Sequence, residues 1–197
     1  MANTLPVFKA GNIDIVGNYR PISLLTSFSK IYERIFCIRL TSFLKKYKIL
    51  YHLQFGFRKH HSTFLAMTSL LDQIIKSLEQ DHFTIGLFLD FSKAFDTVNH
   101  TIFLDKLECY GIRGLANQWI ASYLDKRQQF TTYNGHASSI TEIKCGVPQS
   151  SILGPILFIL YMNDLGTISE NSSTIMFADD SSLFSSGPNL ENIGSTI

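Results

Sequence analysis

Two aspartates stand side by side after one apolar run, and a third closes another apolar run 89 residues before the first of them. The pair belongs to Phe177-Ala178-Asp179-Asp180, preceded by Ile175 and Met176 and followed by a short run closing with Leu183 and Phe184. The pattern predicts a strand, a tight turn and a return strand, with both acids at the tip. Neighbouring carboxylates repel, so holding them together takes protonation, a basic partner or a bound cation. The nearest preceding Lys or Arg is Lys144 and none follows, which makes a divalent metal the economical partner. An Asp-rich surface turn is the alternative for a lone pair. The third acid shifts the balance. Asp90 ends Thr84-Ile85-Gly86-Leu87-Phe88-Leu89, which reads as a buried strand where a charge is costly without a partner. Three such carboxylates would meet only through the fold. Together they suit Mg²⁺, which takes a few carboxylates plus substrate phosphates, as two-metal phosphoryl or nucleotidyl transfer requires.

Composition sets the outer limits. At 197 residues, 45% apolar and 17% charged, the chain is globular, long enough for one sizeable domain or two small lobes. Cys37, Cys109 and Cys145 lie far apart with no C-x-x-C pair, which points to a reducing compartment and no zinc site. Of the histidines only His60-His61 are adjacent. The N-terminus lacks the apolar core of a signal peptide, and the longest apolar run, Ile156 to Met162, is too short to span a bilayer. Net charge is +1, but it is unevenly spread: residues 1–60 carry ten Lys/Arg against two acids, and the rest seven against fourteen. A basic lobe joined to an acidic one fits a polyanion on one side and metal ions on the other, although a solvated basic helix surface gives the same count.

In chain order, residues 1–27 look irregular, broken by Gly11, Gly17 and Pro21. A helix is predicted from about Phe28 to Tyr47, with Ile31, Ile35, Ile38, Phe43 and Tyr47 on one apolar face, joined by Phe36 and Leu40. After a loop over 50–61, Ser62 caps a second helix whose inner face holds Ala66, Met67, Leu70, Leu71, Ile74, Ile75 and Leu78. The strand ending at Asp90 and a turn through Asp96 follow. Asn99 caps a helix that Gly111 ends, and another spans about Leu115 to Leu124, with Leu115, Trp119, Ile120, Tyr123 and Leu124 inward. Asn134-Gly135 marks a hairpin between Gln129–Tyr133 and Ala137–Ile143. Ser150 or Ser151 opens a helix to about Tyr161, apolar nearly all round and therefore central, with Pro155 near its first turn. Ser185 to Asn189 reads as a terminal loop.

Five segments occur in an order that resembles one family: Asn18 to Leu25, Gln54 to Arg58, Phe88 to Asp96, Gly146-Val147-Pro148-Gln149 and Phe177 to Asp180. Together they are similar to the reverse transcriptase domain of non-LTR, LINE-like retrotransposons, and Thr97 to Gly114 looks most like the jockey/CR1-type branch. The resemblance covers nearly the whole chain. It implies an α+β fold, the fingers (about 1–83) and palm (about 84–197) of a right-handed polymerase, with an antiparallel palm sheet backed by helices. It implies an RNA-directed DNA polymerase using two Mg²⁺ ions, with Mn²⁺ as substitute, an RNA template, a DNA primer and deoxynucleotides. No membrane is involved, protein partners are unspecified, and a working element would act on nuclear DNA although no basic targeting cluster is evident.

By the same resemblance, Asp90 and Asp179 are metal ligands, Asp180 completes the acidic triad, and the Phe91 carbonyl joins them. Phe95, five residues after Asp90, is the ring that excludes a ribose 2′-hydroxyl; a core aromatic is the other reading. Gln149 contacts the incoming nucleotide. Arg20 and Arg58 hold the triphosphate, where a guanidinium suits phosphate oxygens, or are solvated surface charges. Ser150 departs from the family's usual glycine, and serine strains the nucleotide pocket if that position needs positive φ or close backbone approach. The chain ends 17 residues after Asp180, so the family's lysine-bearing loop, primer-gripping hairpin and thumb are expected to be missing, as is an endonuclease domain before Met1. An inactive retroelement remnant that binds RNA weakly is therefore the alternative. A haloacid-dehalogenase-type phosphotransferase needs D-x-D, which Asp90-Phe91-Ser92 lacks.

Overall fold

The first 27 residues, expected to be irregular, contain two paired strands. In the computed structural model, which describes residues 2–169, 172–190 and 193, β1 (Ala2–Phe8) and β2 (Tyr19–Leu24) run antiparallel with Pro6 directly opposite Pro21. Two prolines can face each other only at a non-hydrogen-bonded position, because neither has an N–H to give. β2 is an edge strand, and on its other side β1 pairs only through Ala2 to Thr4, so both prolines turn their missing donors away from any ladder. Cross-strand pairing thus overrides the local breaker signal.

The chain forms two compact units, each assembled from two separated stretches: residues 1–43 with 93–158, and 44–92 with 159–197. The first unit holds a five-stranded sheet in the order β2-β1-β4-β5, with β6 also paired to β4. Its strands β4 (Arg127–Tyr133), β5 (His136–Ala137) and β6 (Thr141–Ile143) form the predicted hairpin, turning at Asn134 and Gly135 with φ of 47° and 80°. The return arm is split in two. Tyr133 faces His136 while Arg127 faces Ile143, so the register slips by one residue across Ser138–Ile140, as at a bulge. β1 and β4 run parallel, the one such pair among the named strands of this sheet.

Helix α1 (Ser27–Lys46) begins in this unit, and α3 (His100–Cys109) and α4 (Leu115–Leu124) belong to it. Asn99 caps α3 as expected, its side chain accepting from the Ile102 N–H, and Gly111 ends it at φ +82°. α5 (Gly154–Tyr161) starts later than expected; ahead of it, the Ser151 hydroxyl accepts from the Gly154 N–H at 2.7 Å and donates to the Pro148 carbonyl at 2.8 Å. Its Ile156 to Leu160 stretch is buried throughout, as the all-round apolar pattern predicts.

The second unit is an antiparallel sheet in the order β3-β8-β7, with α2 (Thr63–Glu79) against it. The strands are β3 (Phe83–Leu89), β7 (Ser173–Phe177) and β8 (Asp180–Gly187). Phe55, Ala66 and Ile175 form a core cluster with Leu53, Leu70 and Phe177 around it. Two expectations fail here. β3 is not buried: it is an edge strand, and Phe83, Leu87 and Phe88 are exposed. Ser185 to Gly187 is not a terminal loop but the end of β8, paired with β3 up to Phe83 opposite Gly187.

The helix faces also differ from the expected ones. α1 buries Glu33, Leu40 and Leu44 and leaves Ile31, Ile35 and Ile38 exposed. α2 buries Ala66 and Ser77 and exposes Met67, Leu71, Ile75 and Leu78; in α4, Ile120 and Leu124 are buried but Leu115 is not. Periodicity identifies residues that share a stripe. It does not say which of two apolar stripes meets a neighbour. All three cysteines are free thiols.

Candidate active site

The second unit gathers the three aspartates at one end of its sheet. β7 and β8 pair with Phe177 opposite Asp180, leaving Ala178 and Asp179 as a two-residue turn. Ala178 has φ +60°, whereas Asp179 stays out of the left-handed region, so the first central residue carries the strain of the turn. For a residue with a Cβ that costs about 1–2 kcal/mol. β3 pairs with β8 through Leu89 opposite Ser181, and one further step in the same register brings Asp90 level with Asp180. Phe91 follows at the same end.

The turn has an external support that sequence reasoning missed. Gln54, fully buried, accepts from the Gly56 N–H at 2.7 Å and from the Ala178 N–H at 3.1 Å through Oε1. The adjoining backbone lies beside β7: the Phe55 N–H donates to Met176 O at 2.7 Å and the Met176 N–H to Leu53 O at 3.0 Å. Arg58 is tied into the same loop, its Nη1 donating to the Tyr51 and Gln54 carbonyls, each at 2.9 Å. Burial pushes its guanidinium pKa down from the usual value.

The carboxylates themselves are treated differently. Asp90 and Asp180 are exposed and Asp179 half-buried; among the described residues, no side chain forms an ion pair or hydrogen bond with any of them. Nor are any three His, Cys, Asp or Glu side chains among those residues grouped so as to hold a metal ion by themselves. The donor set is open rather than a closed cage. That composition fits Mg²⁺, which keeps several sites for water and substrate phosphate and binds through only one or two carboxylates.

The remaining predicted residues belong to the first unit. Phe95 stacks on Phe158 with ring centroids 4.2 Å apart and planes at 18°, and is half-buried. The turn that carries it is laced to the Gly146–Gln149 loop: the Val147 N–H donates to Phe95 O and the Gly146 N–H to Val98 O, both at 2.8 Å. Gly146 is required there, because a Cβ would stand 2.8 Å from the Asp96 Cα. Gln149 donates through Nε2 to Asp96 Oδ1 at 2.9 Å. A carboxylate only accepts, so this bond turns the amide oxygen of Gln149 away from Asp96. Ser150 has φ +71°, the left-handed conformation that makes glycine the usual residue. Arg20 is exposed on edge strand β2.

Glu33 is the other residue that sequence reasoning passed over. It is buried on α1, and its Oε2 accepts from the Ile152 N–H at 2.7 Å and the Leu153 N–H at 3.4 Å, while Tyr123 OH donates to Oε1 at 3.0 Å. Those amides precede α5 and have no partner within the helix, so the carboxylate caps it from another element. Burial is the main cause that pushes the Tyr123 phenol up to about 12. An acid among Lys30, Arg34 and apolar residues looks like a surface charge, and no local signal marks it as buried.

Comparison with known proteins follows the same lines. The family model described as reverse transcriptase (RNA-dependent DNA polymerase) matches residues 7–193. The chain is 33% identical over 173 residues to the probable RNA-directed DNA polymerase from transposon X-element of Drosophila melanogaster, covering 83% of this chain and 18% of that protein. It is 34% identical over 170 residues to the RNA-directed DNA polymerase from mobile element jockey of the same species, covering 84% of this chain and again 18% of the relative. Among solved structures, telomerase from Candida tropicalis in complex with a fragment of telomeric RNA superposes with a TM-score of 0.60 at 10% identity, over 92% of this chain and 36% of that one, which shows the shared fold.

Proposed function

The chain belongs to the reverse transcriptase family, on its non-LTR retrotransposon branch, and we propose that it performs template-directed nucleotidyl transfer from deoxynucleotides to a primer 3′-hydroxyl, copying RNA into DNA. The observation that supports this reading is that β3, the β7–β8 turn and β8 of one antiparallel sheet carry Asp90, Asp179 and Asp180 at the same end, with no basic partner among the described residues. Asp90 and Asp179 would hold two Mg²⁺ ions, or Mn²⁺ in their place, with Asp180 and the Phe91 carbonyl beside them. When bound, such ions lower the pKa of the attacking hydroxyl and neutralise charge on the transferred and departing phosphates. The aspartates provide the negative charge that draws the cations, and their exposure leaves the other ligand positions to substrate oxygens.

Phe95 excludes a ribose 2′-hydroxyl by steric clash, and its stack on Phe158 keeps the ring from swinging aside. Gln149 offers its amide oxygen to the nucleotide while Asp96 holds the other end. Arg20 and Arg58 contact the triphosphate; for Arg58 this falls to donors other than the Nη1 already bound to its loop. Residues 1–83 act as fingers and 84–197 as palm. RNA template and DNA primer are held through backbone electrostatics and groove shape, since a polymerase must accept every sequence. Primer extension on an RNA template with Mg²⁺ and deoxynucleotides tests the reading. Extension should disappear in Asp179→Asn, whereas identical traces from wild type and variant would leave an inactive remnant.

A further inference from the structure

Gln54 combines a large burial cost with an incomplete set of hydrogen bonds. Its side chain is fully buried, and although Oε1 receives two backbone N–H groups, the Nε2 amide has no partner among the described residues. The two donors fix which end of the amide is oxygen, so the unpaired end cannot be an exchanged assignment. An apolar side chain of the same volume would fill this place without burying an unpaired N–H₂. What glutamine alone adds is the acceptor for Ala178, the residue whose positive φ turns the chain into Asp179. Gly56 closes the clamp from the other side: a Cβ there would stand 2.2 Å from the Ala178 nitrogen, so the loop backbone lies directly against the turn.

We propose that Gln54 is a positioning residue for the metal site, its carbonyl holding the Ala178–Asp179 turn so that the Asp179 carboxylate faces the cation. This inference rests on the two-metal reading above. Residues that orient a metal ligand without touching the ion change its affinity by about 10–100-fold. The Gln54 contact reaches the ligand through a single backbone amide, and that amide belongs to the residue whose positive φ sets the turn.

The test is a Mn²⁺ titration of this chain, with free ion followed by electron paramagnetic resonance and folding followed by circular dichroism. Gln54→Met keeps the volume and removes the acceptor; Mn²⁺ binding should weaken about tenfold or more. Gln54→Glu, neutral when so deeply buried, keeps an acceptor oxygen and should stay within about threefold of wild type. Should Gln54→Met not fold, Gln54→Asn withdraws the oxygen by one methylene and should give a smaller loss in a folded chain. Wild-type affinity in the acceptor-less variant, with only the melting temperature changed, overturns the proposal and leaves Gln54 a packing residue. Asp179→Asn is run alongside. If it binds Mn²⁺ as wild type does, the two-metal reading itself fails and the inference falls with it; a loss there without one at Gln54 defeats the inference alone.

Discussion

Glu33 and the aspartate group put the same chemical function to opposite uses. Glu33 is buried with donors on both oxygens, two of them backbone amides ahead of α5. Asp90, Asp179 and Asp180 lie at a sheet end with no described side-chain donor on any of them. A satisfied carboxylate is spent on the fold. A carboxylate left without a donor at a sheet end is available to a ligand. The backbones are arranged in the reverse sense: half-buried Asp179 sits on a turn held by buried Gln54, while buried Glu33 does the holding in its own unit.

The contrast can be broken by substitution, most severely at the aspartates. Asp90→Asn should lower primer extension by at least ~10²-fold, as when a group that stabilises transition-state charge is removed. Its thermal unfolding should stay within about 0.5 kcal/mol of wild type, because the side chain is exposed and has no partner among the described residues. A large stability loss in that variant would mean the carboxylate is structural after all. Glu33→Ala should behave the other way, losing about 2–3 kcal/mol in chemical denaturation because buried amides are left without an acceptor.

A pH experiment sharpens the same point. Burial pushes the Tyr123 phenol from its usual value of 10.0 up to about 12, so the protonated phenol is favoured by folding. Its contribution to stability is complete below the unfolded value and is lost as pH rises through the folded one, between about 10 and 12. Tyr123→Phe should flatten that part of the stability curve, and an unchanged curve would show that the phenol titrates freely. The smallest effect is expected at Ser150→Gly, which relieves a φ of +71° and should stabilise by about 1 kcal/mol, read as a raised unfolding midpoint.

Much of the local structure was legible because its causes are local. Ser62 and Asn99 cap their helices through their own side chains, and Asn134-Gly135 turns a hairpin with the positive φ values those residues tolerate. The carboxylate turn was legible as strand, turn and strand, but its tip is Ala178–Asp179 rather than both acids, since Asp180 already pairs with Phe177 in β8. The N-terminal strands were missed because Gly11, Gly17 and Pro21 read as breakers in isolation, whereas Pro21 is compatible with a strand when set opposite Pro6. The inward faces of α1 and α2 were misjudged because both carry more apolar surface than one neighbour covers. Arg58 was anticipated as a triphosphate ligand, and its Nη1 is committed to two loop carbonyls, a contact between residues four and seven positions apart that composition does not reveal.

The amino-acid order alone determined the chemistry on offer: three acids after apolar runs, an aromatic five residues past the first, and an amide beside Pro148. These follow from residue type and short spacing, which a linear chain states directly. Only the tertiary structure decided that Gln54 supports Ala178, that Asp96 orients Gln149 and that Glu33 caps α5 from another element. Each of these is a hydrogen bond across at least 53 residues of chain. Its partners are chosen by which buried donors the packed elements leave unpaired, and that choice exists only after packing.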